Sequence, residues 1–158
     1  MTGAPIGRIV SEGSAGSRFF MGTRQLAVVD GDGSLLLRVD DVVNLGLDRF
    51  EVHDGHGHKV ADLVKEFTFL KKSVRIELAT GAVLRASGSL FDREFSVVGP
   101  GGQAASVTRH WPGVAEMVLS RESYVLAFAT GLPVPEKLGT IGAAIALDLI
   151  RAKARRSS

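Results

Sequence analysis

The sequence contains no cysteine, and this absence excludes several kinds of chemistry. Disulfide bonds, thiolate catalysis, cysteine–zinc sites and palmitoylation all need a thiol, and a reducing compartment fits a chain without one. Long hydrophobic runs are absent too, because no stretch reaches the roughly eighteen apolar residues of a membrane-spanning helix. Residues 1–17 hold no apolar run typical of a signal peptide. We therefore expect a cytoplasmic protein.

The chain carries only a small excess of positive charge. The net charge is +2, and most of the excess lies in residues 151–158, which contain Arg151, Lys153, Arg155 and Arg156. This small local excess gives no strong indication of nucleic-acid binding. Such a segment can contact phosphates or an anionic membrane surface, or it can complement the negative end of a helix macrodipole.

The most apolar stretch of the chain is residues 138–150, in which Thr140 and Asp148 are the polar side chains. Ala and Leu favour a helix here, and Thr140 is a candidate N-cap. A helix that is apolar on nearly every face belongs in a core or a membrane. Thirteen residues span roughly 20 Å, too short for the roughly 30 Å of a bilayer core. We therefore predict a core helix with Ile141 and Ile145 as structural core residues.

Asp148 is then a carboxylate in the middle of an apolar helix, and a buried carboxylate must be hydrogen-bonded or protonated. Such groups are often functional. The alternative is structural: Asp148 binds backbone or basic groups at the rim of the fold and fixes the register of the helix. We favour the structural role.

Three segments repeat one pattern, in which alternating apolar residues lead into a tight Gly-rich turn and out again. That pattern is typical of a β-hairpin. With looser repeats it predicts about a dozen short strands. The hairpins comprise residues 25–39, 49–64 and 94–108, and further strands are expected at 6–10, 74–86 and 123–128.

An open sheet of about a dozen strands tends to curl or split. Closing it into a barrel removes its edges, and the apolar helix can then occupy the interior. The sequence therefore predicts a mainly β protein, a closed antiparallel barrel around a central C-terminal helix. A two-sheet sandwich covered by the helix is the alternative.

The hairpins, of which residues 50–57 have the full form aromatic-x-Val-x-Asp-Gly-x-Gly, the segment Val107-Thr-Arg-His-Trp111 and the closing apolar run through Asp148 resemble the LURP-one-related family. These proteins share the tubby C-terminal-like fold, to which the phospholipid scramblases are related. The resemblance covers the chain from about Arg18 to Lys153 and implies a twelve-stranded barrel around a C-terminal helix. The resemblance implies a single domain at 18–153. We expect residues 1–17, which are rich in Gly, Ser and Ala, to form a flexible arm and residues 154–158 to form a basic tail. Tubby domains bind phosphoinositides, but the family has no settled biochemical activity.

Two of the turns contain residues that can bind metal ions. Asp30-Gly-Asp-Gly-Ser34 resembles the start of a calcium loop, but Leu35 stands where an EF-hand needs glycine, so we interpret it as a turn. His53, His56 and His58 form the densest cluster of candidate ligands for a transition metal. Because glycines interleave them in a tight turn, we expect their side chains to splay and predict no metal site.

The remaining candidates concern binding rather than catalysis. No nucleophile elbow, zincin helix, P-loop or dinucleotide fingerprint is present, so we predict a non-enzymatic protein without a cofactor. We expect it to bind anionic phospholipid at a membrane surface, the alternatives being scramblase-like lipid transport or small-molecule and metal binding. Trp111 is a predicted core anchor. The predicted ligand-binding residues are Lys71, Lys72, Arg75, Arg151, Arg155 and Arg156.

Overall fold

Each Gly-rich turn that separates two apolar segments joins two antiparallel strands in the structure. The computed structural model describes residues 8–11, 24–30, 32–42, 48–67, 72–88, 94–110 and 123–156. Within these ranges the chain forms ten β-strands followed by one α-helix. The elements are β1 (Arg8–Ser11), β2 (Arg24–Val29), β3 (Leu35–Val42), β4 (Arg49–Asp54), β5 (Lys59–Phe67), β6 (Lys72–Leu78), β7 (Val83–Ser87), β8 (Glu94–Gly99), β9 (Gly102–His110), β10 (Ser123–Phe128) and α1 (Val134–Arg156).

The turn between β2 and β3 shows why the chain reverses where it does. Oδ1 of Asp30 accepts hydrogen bonds from the backbone N–H groups of Asp32 (2.9 Å) and Ser34 (3.0 Å). Gly33 has a φ of 85°, a left-handed conformation that glycine adopts without steric cost. Asp30 therefore stabilises the predicted hairpin turn.

The ten strands form one sheet in which each strand pairs antiparallel with the next in the sequence. The tight turns after β2, β4, β6 and β8 consequently lie at the same end of the strands, which we call the turn end. The last residues of β1, β3, β5, β7 and β9 lie at the opposite end of the strands, which we call the loop end. The segment after β10 is also at the turn end, where the N–H of Ala129 donates to the carbonyl of Ala104 (2.8 Å).

The predicted class, mainly β with one C-terminal helix, is confirmed. Within the described residues β1 and β10 are the edges of the sheet, and no pairing joins them. The closed twelve-stranded barrel is therefore not confirmed by the pairing of these strands. A single continuous sheet also differs from the two separate sheets of a sandwich, so that alternative is wrong for the described strands.

The pleat of each strand separates buried from exposed residues. In β3, Leu37 and Val39 are completely buried while Arg38 between them faces solvent. Burial of one Val, Leu or Phe side chain contributes about 1.5–3 kcal/mol to stability. Burial of the apolar inner face is therefore the main interaction that holds the sheet and the helix together. Fully buried large side chains on this face are Leu37, Val39, Phe50, Val52, Leu63, Val74, Ile76, Leu84, Val97 and Val107.

The helix α1 begins earlier than the sequence pattern indicated, at Val134 rather than Leu138. Its first backbone hydrogen bond runs from the N–H of Lys137 to the carbonyl of Pro133 (3.1 Å). Pro135 is tolerated in the first turn because the N–H groups there have no helical partner. Glu136 complements the positive end of the helix dipole.

The prediction that Thr140 caps the helix is wrong, because Thr140 lies two turns inside it. Its side chain is fully buried, and Oγ1 donates to the carbonyl of Glu136 (2.9 Å). A threonine in a helix interior often bonds the carbonyl four residues back in this way. The hydroxyl is thereby satisfied without a cap.

The helix packs on the inner face of the sheet and contacts β3 to β7, β9 and β10. Gly139 lies against Ile76 and Leu78 near the turn end. Residues 142–147 are buried without interruption. Ile145 is part of the core, and the partly buried Ile141 packs against it. The helix therefore starts at the turn end and runs across the inner face toward the loop end. No helix among the described residues is long and apolar enough to cross a membrane.

Candidate functional site

Charged side chains of neighbouring strands share the outer face of β3 to β7, where they alternate with the buried residues. Every cation described on this face lies within ion-pair distance of a carboxylate. The pairs are Arg38–Asp40, Arg49–Asp62, Lys59–Glu51, Lys59–Asp62, Arg75–Glu66, Arg75–Glu77 and Arg85–Glu66. The cations and carboxylates are equal in number, so this face carries no net positive charge.

Arg75 is the predicted ligand-binding residue that the structure describes most fully. It alternates outward from the buried Val74, as expected, but carboxylates contact it on two sides. Its Nη1 lies 2.6 Å from Oε1 of Glu66, and its Nε lies 2.8 Å from Oε1 of Glu77. Its positive charge is therefore already balanced within the sheet.

Glu66 also contacts a second arginine. Arg75 and Arg85 are directly opposite each other on β6 and β7, a position in which like charges repel. Oε2 of Glu66 lies 3.2 Å from Nε of Arg85 while Oε1 contacts Arg75. One carboxylate thus bridges the two guanidinium groups.

Asp62 is the centre of a second group of ion pairs. Nη2 of Arg49 and Nζ of Lys59 each lie 2.8 Å from its Oδ1. Burial favours the neutral acid, but hydrogen bonds from Lys59 and Arg49 outweigh it and hold the pKa of Asp62 below its usual 3.8. Hydrogen bonding to Asp62 likewise raises the pKa of Arg49 and of Lys59.

Asp40 and His53 form a more buried group on the same face. Nε of Arg38 is 3.0 Å from Oδ1 of Asp40 and 3.2 Å from Oδ2, but only the Oδ2 contact has the angles of a hydrogen bond. Nδ1 of His53 lies 3.4 Å from Oδ2, and neither it nor Oδ1 has a hydrogen-bond partner among the described residues. The guanidinium of Arg38 already contacts the carboxylate of Asp40, so Asp40 and His53 are poorly suited to bind a further cation.

The histidine turn between β4 and β5 repeats the geometry of the β2–β3 turn. Oδ1 of Asp54 accepts from the N–H groups of His56 and His58 (2.9 Å each), and Gly57 has a φ of 86°. The hydrogen bond from the N–H of His58 lowers the pKa of Asp54. The exposed rings of His56 and His58 have their centroids 6.3 Å apart, while His53 lies on the strand face near Asp40.

The rings of His56 and His58 are thus neighbours in the turn, whereas His53 is directed toward Asp40 on the strand face. Within the described residues, no group of three or more His, Asp or Glu side chains is arranged to hold a metal ion. The hydrogen bonds of Asp54 account for the Asp-Gly-His-Gly pattern as hairpin chemistry.

Lys65 adjoins the predicted basic patch in the sequence, but its charge is used inside the fold. Its side chain is only 14% exposed, and Nζ lies 2.8 Å from Oδ2 of Asp48. The N–H of Lys65 also donates to the carbonyl of Asp48 (3.1 Å). Lys65 therefore ties β5 to the start of β4 rather than presenting a cation to a ligand.

The structure describes little of the other two lysines of the predicted patch. Lys72 is the first residue of β6, and its side chain is outside the described part of the structure. Lys71 lies entirely outside the described residues. Because faces alternate along a strand, positions 72 and 75 belong to opposite faces of β6. The binding roles of Lys71 and Lys72 therefore stay predictions.

The basic segment at the end of the chain continues the helix. Arg151, Arg155 and Arg156 lie in the last two turns of α1, beyond the buried Ile150. Asp148 is also within α1, and the side chains of these four residues are outside the described part. The predicted core anchor Trp111 lies outside the described residues as well.

Sequence reasoning missed Glu66 and Glu77, which balance the charge of Arg75. One signal was available, because Arg75 and Glu77 are two residues apart in a predicted strand and so share a face. Glu66 carried no such local signal. It reaches Arg75 through the pairing of β5 with β6, which depends on where the connection after β5 ends.

The sequence matches a known family. The family model described as LURP-one-related matches residues 6–135, most of the chain, and ends at the start of α1. No curated protein and no solved structure matches the chain significantly.

Proposed function

Because the chain belongs to the LURP-one-related family, we propose that it is a non-enzymatic binding domain that recognises anionic phospholipid headgroups at a membrane surface. The observation that carries this proposal is the distribution of charge. Cations on the outer face of β3 to β7 are paired with carboxylates, whereas residues 151–156 contain four cations and no carboxylate. The excess positive charge of the chain therefore belongs to the loop end, where α1 terminates.

The loop end would face the membrane in this arrangement. Lys72 is the first residue of β6 at that end, and Lys71 precedes it in the sequence. In the proposed arrangement both act together with Arg151, Arg155 and Arg156 on one anionic surface. Arg75 contributes least to binding, because Glu66 and Glu77 already neutralise it. Each lysine or arginine near an anionic membrane contributes about 1 kcal/mol, so five such residues suffice for reversible peripheral binding without a cofactor.

The lack of catalytic motifs in the sequence supports binding rather than chemistry. The described residues also contain no histidine or carboxylate group arranged around a metal. The proposal accordingly assigns no reaction to the protein, and headgroups are its ligands rather than its substrates.

We further propose that the sheet curves until β1 and β10 approach each other and enclose α1 as a barrel. The contacts of the helix with β3 to β7, β9 and β10 support this, because a flat sheet of ten strands is about 45 Å wide and a single helix cannot reach across it. Cysteines introduced at Ser11 and Ser123 would be unique labelling sites in this chain. Spin labels there should lie less than about 20 Å apart in a barrel, and a separation near the flat-sheet width would refute closure.

Vesicle flotation tests the lipid proposal. The protein should float with vesicles containing phosphatidylserine or a phosphoinositide at about 50 mM salt, not with phosphatidylcholine vesicles, and less well at about 500 mM. Replacing both Arg155 and Arg156 with serine should weaken binding about 30-fold, at about 1 kcal/mol per charge. Absence of flotation at low salt would end the proposal. Movement of labelled lipid between leaflets would instead indicate scramblase-like transport.

A further inference from the structure

The ring of His53 has a carboxylate near each of its two nitrogen atoms. Nδ1 lies 3.4 Å from Oδ2 of Asp40 on the neighbouring strand β3. Nε2 lies 3.9 Å from Oε2 of Glu51 on the same strand. The side chain of His53 is 14% exposed, against 80% for that of His58 in the turn. His53 is therefore enclosed between two groups that accept hydrogen bonds.

A neutral imidazole cannot satisfy both of these contacts. It carries a proton on one nitrogen and a lone pair on the other, whereas the protonated ring donates from both. Nδ1 of His53 and Oδ1 of Asp40 are both buried, and neither has a hydrogen-bond partner among the described residues. A buried polar atom without a partner lowers stability. Protonation of His53 supplies a donor to the carboxylate of Asp40 and fixes the ring between the two acids.

On β3 the charged neighbours of His53 are Asp40 and Arg38, which lies directly opposite it in the register. Nε of Arg38 lies 3.0 Å from Oδ1 of Asp40 and donates to Oδ2. The guanidinium is therefore directed toward this carboxylate, which offsets its repulsion of a protonated ring. A proton on His53 also leaves the contact between Arg38 and Asp40 in place.

On β5 the charged neighbours are Asp62 and Lys59, which pairs with His53 in the register. Nζ of Lys59 lies 2.8 Å from Oδ1 of Asp62 and 3.3 Å from Oε1 of Glu51. Two carboxylates thus balance the charge of this lysine. The cations on both sides of His53 are engaged with acids, and acids also lie next to its ring nitrogens.

We propose that His53 is a pH-responsive link between β3 and β4 that is stronger when its ring is protonated. The protonated ring donates from Nδ1 to Asp40 across the strand pair and is attracted by Glu51 through Nε2. This inference is independent of lipid recognition, because it concerns the outer face of the sheet rather than the end of α1.

The direction of the pH dependence follows from the charge of the ring. Histidine side chains in general change charge near about pH 6.5. The folded protein favours the protonated ring, so the stabilisation is present below about pH 6.5 and is lost as the pH rises. This is opposite to the effect of a carboxylate whose pKa is lowered in the folded state, which stabilises above its usual pKa.

The range between about pH 5.5 and 8 separates His53 from the carboxylates with known shifts. The pKa of Asp62 lies below 3.8, because burial, which raises it, is outweighed by hydrogen bonds from Lys59 and Arg49. The pKa of Asp54 is also below 3.8, because the N–H of His58 donates to its carboxylate. Both acids are therefore ionised throughout this range.

Urea unfolding of the wild type and of His53→Gln tests the proposal. The difference in urea midpoint between them should be larger at about pH 5.5 than at about pH 8, and the ratio of their unfolding equilibrium constants should change about tenfold. His56→Gln is the matched control, because its ring is exposed and its bond to Asp54 comes from the backbone N–H. The difference between His56→Gln and wild type should be the same at both pH values.

Two further variants identify the carboxylates that act on the ring. In an Asp40→Asn protein, the addition of His53→Gln should have the same effect at both pH values, because the charge that favours the protonated ring is gone. Glu51→Gln should reduce the pH dependence only in part, because Glu51 is the more distant acid. Its side chain is 30% exposed, so this variant also provides the test if Asp40→Asn does not fold.

Three outcomes would overturn the proposal. An equal difference between wild type and His53→Gln at both pH values means that the charge of the ring does not contribute to stability. A larger difference at about pH 8 means that the fold favours the neutral ring, and that Arg38 and Lys59 outweigh the acids. A pH dependence that persists unchanged in both Asp40→Asn and Glu51→Gln assigns the effect to another group.

Discussion

Gly142 of α1 lies directly against Val52 of β4. A Cβ atom at position 142 would be 2.5 Å from Cγ2 of Val52, a separation that packed side chains do not tolerate. Val52 is itself completely buried on the inner face of the sheet. The absence of a side chain at Gly142 therefore sets how closely the helix approaches the sheet.

Replacing Gly142 with alanine should destabilise the protein, although alanine is the better helix former by about 1 kcal/mol. Overpacking of a dense core costs about 1–3 kcal/mol, so we expect a net loss that appears as a lower urea midpoint. Gly101 is the control, because a Cβ there meets no atom within 4 Å. A Gly142→Ala protein as stable as wild type would mean that the helix can move away from β4 freely.

Glu66 should be more important for stability than either arginine it contacts. Glu66→Gln leaves Arg75 and Arg85 opposite each other without the bridging charge, and we expect a loss of about 1 kcal/mol in the free energy of unfolding. Adding Arg85→Gln should recover part of that loss, because it removes the repulsion. A double-mutant cycle by urea unfolding measures this, and strictly additive effects would contradict the bridge.

Asp62 should make the stability depend on pH in acid. Its pKa is lower in the folded protein than the usual 3.8, because the hydrogen bonds from Lys59 and Arg49 outweigh the effect of burial. The stabilisation is therefore fully present above the usual pKa and is lost as the pH falls through the folded pKa. The free-energy difference between wild type and Asp62→Asn should be constant near neutral pH and shrink below about pH 4. A difference that is unchanged in acid would refute this assignment.

Asp54 should act through its hydrogen bonds rather than through metal binding. Asp54→Asn keeps a side-chain oxygen that can accept from the N–H groups of His56 and His58, whereas Asp54→Ala does not. Thermal unfolding should show a lower melting temperature for the alanine variant than for wild type, and a much smaller decrease for the asparagine variant. The decrease in melting temperature of each variant should be the same with a chelator as without it. A decrease that depends on the chelator would indicate a metal at the turn.

Substitutions at Arg75 and at the end of α1 should have different effects on vesicle binding. Arg75→Gln should leave the affinity for anionic vesicles almost unchanged, because Glu66 and Glu77 balance its charge. The Arg155→Ser, Arg156→Ser protein should bind about 30-fold more weakly. Flotation across a lipid titration compares the two, and a larger loss for Arg75→Gln would assign the headgroup site to the outer face of the sheet.

Much of the fold follows from short-range patterns. Alternation of apolar residues identified the strands from β2 to β10, and the Asp-Gly turns fixed where the chain reverses, because a turn residue acts on neighbours two to four positions away. The apolar run through Ile145 identified the core helix for the same reason. Its first turn was missed, since Pro135, Glu136 and Lys137 carry no apolar signal and Pro135 is usually a helix breaker.

The candidate site was less predictable. The sequence shows Lys65 and Arg75 as neighbouring basic residues, but the sheet pairs the first with Asp48 and the second with Glu66 and Glu77. A basic patch in a sequence is therefore not a basic surface until the partners across the strands are known.

The sequence by itself determined which segments are strands, where they turn and which helix is apolar enough to be buried, because these properties depend on residues a few positions apart. The tertiary structure alone decided that Glu66 bridges Arg75 and Arg85 and that Gly142 meets Val52. Those contacts depend on the register between strands and on the position of a helix against them, and both are set by the packing of the whole core at once.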